Sequence, residues 1–300
     1  MIKYLATAVV LKCFSMNSIT RKIYRQLGNA VAQKKRGNQD LDSYIERGDI
    51  LVSLCKKYGV LKDGNHFLEL GTGWLHWFGI YTRLHADIKV DLYDVWDNRQ
   101  FDALKASFRN LRKTFDDNNR ITDAQRDIFD LVEASCSNTD LYNKLNLAYT
   151  INPEGDLSGY ESKSFDCVFS FHVMEHIGRS FISESIKDMY RILKPGAYCI
   201  HQIGIDDHLS HYDTKESPKN YLRYSLKMRK MIFENIVQYH NVCQGQEYID
   251  MFSDAGFDIA EISRDKCDIS DLKIHSDWSD FSQDDLETTI FTIVCHKPEI

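Results

Sequence analysis

The 300-residue chain has no CxxC pair, no basic excess and no apolar run long enough to cross a bilayer. Each absence removes a class of function. Its eight cysteines stand singly, several inside apolar runs such as "FDCVFSF" and "AYCIHQIGI". They fit buried free thiols in a reducing compartment better than a zinc site. Lys and Arg number 37 against 44 Asp and Glu, a net charge of -7. A general nucleic-acid binder needs the opposite field, so no nucleic-acid partner is expected. The basic clusters Lys34-Lys35-Arg36 and Lys227, Arg229, Lys230 read as solvated helix faces. The opening "MIKYLATAVVLKCFSM" is interrupted by Lys12, is too short to span a membrane and lacks a clear cleavage site. A cytoplasmic chain without stable membrane insertion is expected.

What is present has two textures. Residues 1–60 carry helical periodicity and no convincing strand, and "YIERGDILVSLCKKYGV" stops at Gly59. This predicts a helical N-terminal extension over 1–60. From 61 to 300 strand and helix patterns alternate. "HFLELG", "IKVDLYDV", "LNLAYTI", "FDCVFSF" and "AYCIHQIGI" are strand-like; "FDALKASFRNLRKTF" and "SFISESIKDMYRIL" are helical. The pattern predicts an α/β domain, an open sheet with helices on both faces. A polar, turn-rich stretch followed by "YLRYSLKMRKMIFENIVQYH" predicts a helical insertion near 206–250.

In such a sheet, ligands sit just past the carboxyl ends of the strands. The first strand ends on Glu69-Leu70-Gly71-Thr72-Gly73. The glycines let backbone approach a ligand, and the next helix offers free N–H groups. A dinucleotide turn wants a third glycine where His76 stands, and Glu69 would repel a pyrophosphate. A cationic nucleoside ligand tolerates that carboxylate. The second strand ends at Asp94, where an acid can accept both hydroxyls of a ribose; Asp91 competes with it. The fourth strand ends at Ser170, Phe171 and His172, followed by Glu175 and His176. His176 reads as a packed, hydrogen-bonded histidine.

Taken in order, "LELGTGW", "DLYDVWD", "FDCVFSFHVMEHI" and "RILKPGAYCI" resemble the successive motifs of class I S-adenosylmethionine-dependent methyltransferases, in their small-molecule branch. The turn "GTGW" is more loosely similar to methyltransferases encoded with bacterial polysaccharide genes. The resemblance implies a Rossmann-like seven-stranded sheet and S-adenosyl-L-methionine as cofactor. It implies that Glu69, Gly71, Thr72 and Gly73 form the methionine-side loop, that Asp94 holds the ribose, and that Ser170 lies at the cofactor. Asp156 in "PEGDLSGY" would lie near the adenine amine. Two positions depart from the family pattern: Leu75 replaces the common third glycine, and Ala197 replaces another.

The acceptor side points to "GIDDHLSHYD", after the fifth strand, which packs Asp206, Asp207, His208, His211 and Asp213 together. Three readings stand. His208 with an orienting Asp207 or Asp213 can act as a general base, with His172 and His211 as the other candidates. The loop can be structural. The residue types also suit a divalent ion, but no distant ligand is evident, so no metal is expected. A small-molecule or glycan acceptor, methylated at oxygen or nitrogen, is expected. A nucleotide-dependent oxidoreductase or epimerase on a related sheet, and a catalytically silent binding module, are the alternatives.

Overall fold

A computed structural model describes residues 2–36 and 41–299, without the side chains of 29–36. The Lys34-Lys35-Arg36 face therefore lies outside the described side chains. Three helices come first: α1 (Ile2–Ser15), α2 (Ser18–Arg36) and α3 (Asp42–Lys57). The sheet strands are β1 (His66–Leu70), β2 (Lys89–Asp94), β3 (Leu147–Ile151), β4 (Phe165–Phe171), β5 (Leu193–Gly204), β6 (Asp258–Lys266) and β7 (Thr288–His296). Their order is β3-β2-β1-β4-β5-β7-β6. β1 runs parallel to both β2 and β4, and β2 runs parallel to β3.

The chain divides into two compact units. One comprises Asn29–Ser170, Asp188–Ile200 and His296–Ile300. Phe67, Leu68, Val90, Leu92, Val168 and Phe169 are buried in its strands, which explains their continuous apolar runs. Between the strands come α4 (Trp77–Arg83), α5 (Phe101–Asp117), α6 (Asp123–Ala134) and α7 (Asn138–Leu145). On α5, Leu104, Phe108, Leu111 and Phe115 are buried at helical spacing. α6 starts with a capping box in which Thr122 accepts from Gln125 N–H and Gln125 accepts from Thr122 N–H.

The other unit comprises Met1–Gly28, Phe171–Lys187 and His201–Cys295. Tyr4, Ala8 and Leu11 of α1 pack with Leu209 and Phe233. A second cluster joins Tyr221, Leu222, Val242, Ile269, Trp278 and Leu286. The expected helical insertion over 206–250 is not observed as a continuous helix. Beyond α8 (Ile182–Ile192), short 3-10 turns at Ser210–Tyr212 and Asn220–Arg223 are followed by one α turn, α9 (Leu226–Met228), and a π turn at Arg229–Phe233. The next full helix, α10 (Gly245–Asp254), starts only where the segment ends.

The cause is tertiary. Lys219 is fully buried, and its ammonium donates to Ile205 O, Thr288 O and Gln244 Oε1 at 3.1, 2.8 and 3.2 Å. Arg229, also buried, lies over the Tyr221 ring. These anchors hold the backbone in turns against the segment's helical propensity. No helix of the described residues is long and apolar enough to cross a membrane.

Candidate active site

The residues after β1 form a tight loop that closes on β2. Gly71 and Thr72 donate their N–H groups to Tyr93 O, and Gly73 donates its own to Asp94 Oδ2 at 3.0 Å. Gly71 and Gly73 both have positive φ, near 65° and 63°. A side chain at Gly73 would therefore be strained even though the space beside it is open. Asp94 Oδ1 accepts from Trp96 N–H at 3.2 Å. Val95 N–H also reaches this carboxylate, which still keeps acceptor capacity beyond its three backbone donors. Burial pushes the Asp94 carboxyl above its ordinary range, partly offset by these N–H donors. Asp91 is occupied elsewhere: it sits in mid-strand opposite Leu68 and pairs with His66 Nε2 at 2.8 Å. Only Asp94 ends the strand.

Glu69 is buried, and its Oε2 accepts from the Thr72 hydroxyl at 3.0 Å and from Gly79 N–H at 2.9 Å. Burial pushes its carboxyl up to about 8. His76 stands in the left-handed region at φ 47°, fully buried, where the dinucleotide pattern wants glycine. Its ring contacts Thr72 Oγ1 at 3.1 Å through Nδ1 and the Tyr142 hydroxyl at 2.8 Å through Nε2. The Thr72 hydroxyl has one proton and gives it to Glu69. Nδ1 must then carry the imidazole proton, and Nε2 accepts from Tyr142. Burial lowers His76 to about 3, consistent with this neutral tautomer. The chain Tyr142–His76–Thr72–Glu69 thus shapes the loop in the absence of the third glycine.

Ser170 ends the same unit's share of β4, fully buried and in register with Leu70. Asp156 is exposed, and its carboxylate is folded into its own turn, accepting from Ser158 N–H and from Asn152 Nδ2. Trp96, an exposed indole two residues past Asp94, was not singled out from the sequence. An aromatic just after a strand-terminal acid was the available signal.

In the other unit, seven titratable side chains gather around the segments after β4 and β5. His172 has φ 54° and donates its N–H to Gln202 O. Its Nδ1 lies 3.3 Å from Glu175 Oε1. Glu175 is buried, and Oε1 also accepts from Gly204 N–H at 3.2 Å. His176 Nδ1 contacts Tyr239 O at 2.6 Å. His208 stacks on His240 with ring centroids 4.4 Å apart and lies 5.1 Å from the His176 ring. Burial lowers His208 to about 4. His211 pairs with Asp206, and that hydrogen bond raises its pKa.

Neither expected orienting acid serves His208. Asp207 Oδ2 accepts from the Tyr4 hydroxyl and its Oδ1 from Leu209 N–H, while Asp213 accepts from Tyr4 N–H. Both carboxylates are spent on fixing α1 and the loop.

Comparison with known proteins adds the family. A methyltransferase-domain family matches residues 46–262. The chain belongs to that family. Its cofactor is S-adenosylmethionine. No curated protein matches the chain.

Solved structures similar to it include phosphoethanolamine N-methyltransferase 2 of Haemonchus contortus in complex with S-adenosyl-L-methionine. That likeness has 17% identity over 82% of this chain and 51% of that one, with a TM-score of 0.46. A methyltransferase of Methanosarcina mazei has 16% identity over 80% and 96%, with a TM-score of 0.47. One of Aquifex aeolicus has 13% identity over 82% and 88%, with a TM-score of 0.42. Likenesses this distant say nothing of substrate.

The residues present fit this cofactor by their chemistry. Within the loop the side chains are acidic or neutral, and the nearby Arg99 is paired with Asp97, which suits a ligand bearing a sulfonium and an ammonium. Asp94 keeps acceptor capacity for a diol, and Gly73 has no side chain and open space beside it.

Proposed function

We propose that this methyltransferase moves the methyl group of S-adenosylmethionine to an oxygen or nitrogen of a small-molecule or glycan acceptor. When bound, the cofactor supplies an electrophilic methyl on a sulfonium. The chain's residues do the rest. Asp94 accepts the ribose hydroxyls, and Gly71, Thr72 and Gly73 offer backbone beside the methionine portion. Glu69, which burial keeps largely neutral in the free protein, supplies a carboxyl that a bound cation draws toward its charged form. Ser170, Trp96 and Asp156 complete the cofactor side, with the Trp96 indole as a surface for a flat ring. His208, His172 and His211 form the acceptor side. The supporting observation is the concentration of imidazoles after β4 and β5, where an acceptor hydroxyl or amine needs a group to orient it and handle its proton.

His211 is engaged by Asp206 and His172 faces Glu175, so His208 carries the acceptor role. His208→Ala is expected to leave cofactor affinity intact while turnover falls by roughly 10²–10⁴. Normal turnover of that variant would remove His208 from the chemistry. A nucleotide-dependent oxidoreductase is disfavoured by His76 and Glu69 at the loop, and a silent module by the intact Asp94 and Gly73.

A further inference from the structure

We infer that Glu175, His176 and His208 bind a divalent first-row transition-metal ion. One ligand atom from each lies within 4.8 Å of the other two. A different feature of the fold holds each of the three residues. Glu175 is only 1% exposed, and its Oε1 is held by Gly204 N–H, yet Oε2 is buried with no hydrogen-bond partner among the described residues. A buried carboxylate oxygen left this way is costly unless a cation or donor meets it. His176 gives its Nδ1 proton to Tyr239 O, which leaves the Nε2 lone pair available. Such a carbonyl on the second ring nitrogen is the usual outer partner of a metal-bound imidazole. His208 is packed flat on His240 and next to His176, an orientation set by ring stacking.

Two imidazoles and one carboxylate suit zinc or a neighbouring transition ion. Magnesium and calcium prefer all-oxygen shells. Three protein ligands leave at least one position open. Bond lengths of about 2.0–2.2 Å place ligand atoms roughly 3.3 Å apart, so the three side chains close by at most about 1.5 Å on binding. The sequence offered the His208 loop no distant ligand; the fold supplies two from the turn after β4. The inference deepens the acceptor reading of these residues and rests on it for its role. His208 then serves as a ligand to an ion that takes an acceptor oxygen, and not as a free base.

The test is titration of the chelator-treated full chain with Co²⁺, followed by visible d–d absorption, with no methyl donor present. One ion per chain is expected. Glu175→Gln and His208→Ala should each weaken binding at least tenfold, while Cys13→Ser with Cys136→Ser, the exposed thiols, should leave it unchanged. If Glu175→Gln fails to fold by circular dichroism, His208→Ala decides. Binding that survives both ligand variants, or that is lost with the cysteines, overturns the inference. Absence of Co²⁺ binding with turnover still lost in His208→Ala overturns the metal and leaves the methyl-transfer reading standing.

Discussion

The Tyr4 hydroxyl donates to Asp207 Oδ2 at 2.7 Å, joining the first turn of α1 to the loop that follows β5. Asp207 is buried, so the phenol is one of its few donors. Tyr4→Phe removes that donor and leaves the carboxylate one partner short. Stability is expected to fall by about 1–3 kcal/mol in urea unfolding, with cofactor affinity unchanged. Equal stability of the two proteins would show that the contact contributes nothing.

Glu69 predicts a pH dependence. Its folded pKa, about 8, lies above its ordinary 4.5 because burial disfavours the charge. The stabilising contribution of its neutral form is therefore complete below pH 4.5 and is lost as pH rises through 8. Glu69→Gln should flatten this part of the profile and make the free protein more stable at pH 8 by about 1–3 kcal/mol. The same variant should bind S-adenosylmethionine more weakly, because the charge that a cationic ligand favours is gone. Unfolding at pH 5.5 and 8, with calorimetry at pH 8, checks both signs. A variant that is less stable at pH 8 and binds normally would contradict them.

Gly204 carries no side chain for a reason of space. A Cβ there would lie 2.9 Å from both Glu175 Oε1 and His172 Nδ1. Gly204→Ala must displace those side-chain ends, and turnover is expected to fall about 10–100-fold from misplacement alone. Cofactor affinity, which the proposed function assigns to Asp94 and the β1 loop, should stay near wild type. Full turnover would mean that the acceptor does not depend on Glu175 or His172.

The strands were legible because β1, β2 and β4 are short, apolar and punctuated by Gly71, Asp94 and His172, and because the apolar second half of β5 runs to Gly204. The α5 face was legible for the same reason, through Leu104, Phe108 and Leu111. The 219–240 stretch was not. Its apolar residues repeat like a helix, but Tyr221 and Phe233 enter two different buried clusters, and Lys219 and Arg229 are buried cations whose partners are remote in sequence. Local pattern cannot report such partners.

The placing of Gly71, Gly73 and Asp94 at the ends of β1 and β2 could be read from spacing. His76 was read as a missing glycine, although it fills the left-handed position with a ring bridging Thr72 and Tyr142. Glu175 passed without a role, because its orphaned oxygen is a property of the fold. Asp207 looked like a partner for His208 by adjacency, and only the position of Tyr4 shows otherwise.

The most direct test of the central claim is calorimetric titration of S-adenosylmethionine into the wild-type chain and Asp94→Ala. One-to-one binding by the wild type is expected. Loss of charge-assisted hydrogen bonds worth about 1.5–3 kcal/mol should weaken the variant at least tenfold. Circular dichroism should show both proteins folded. No binding by the wild type, or an unchanged dissociation constant in folded Asp94→Ala, would contradict the account.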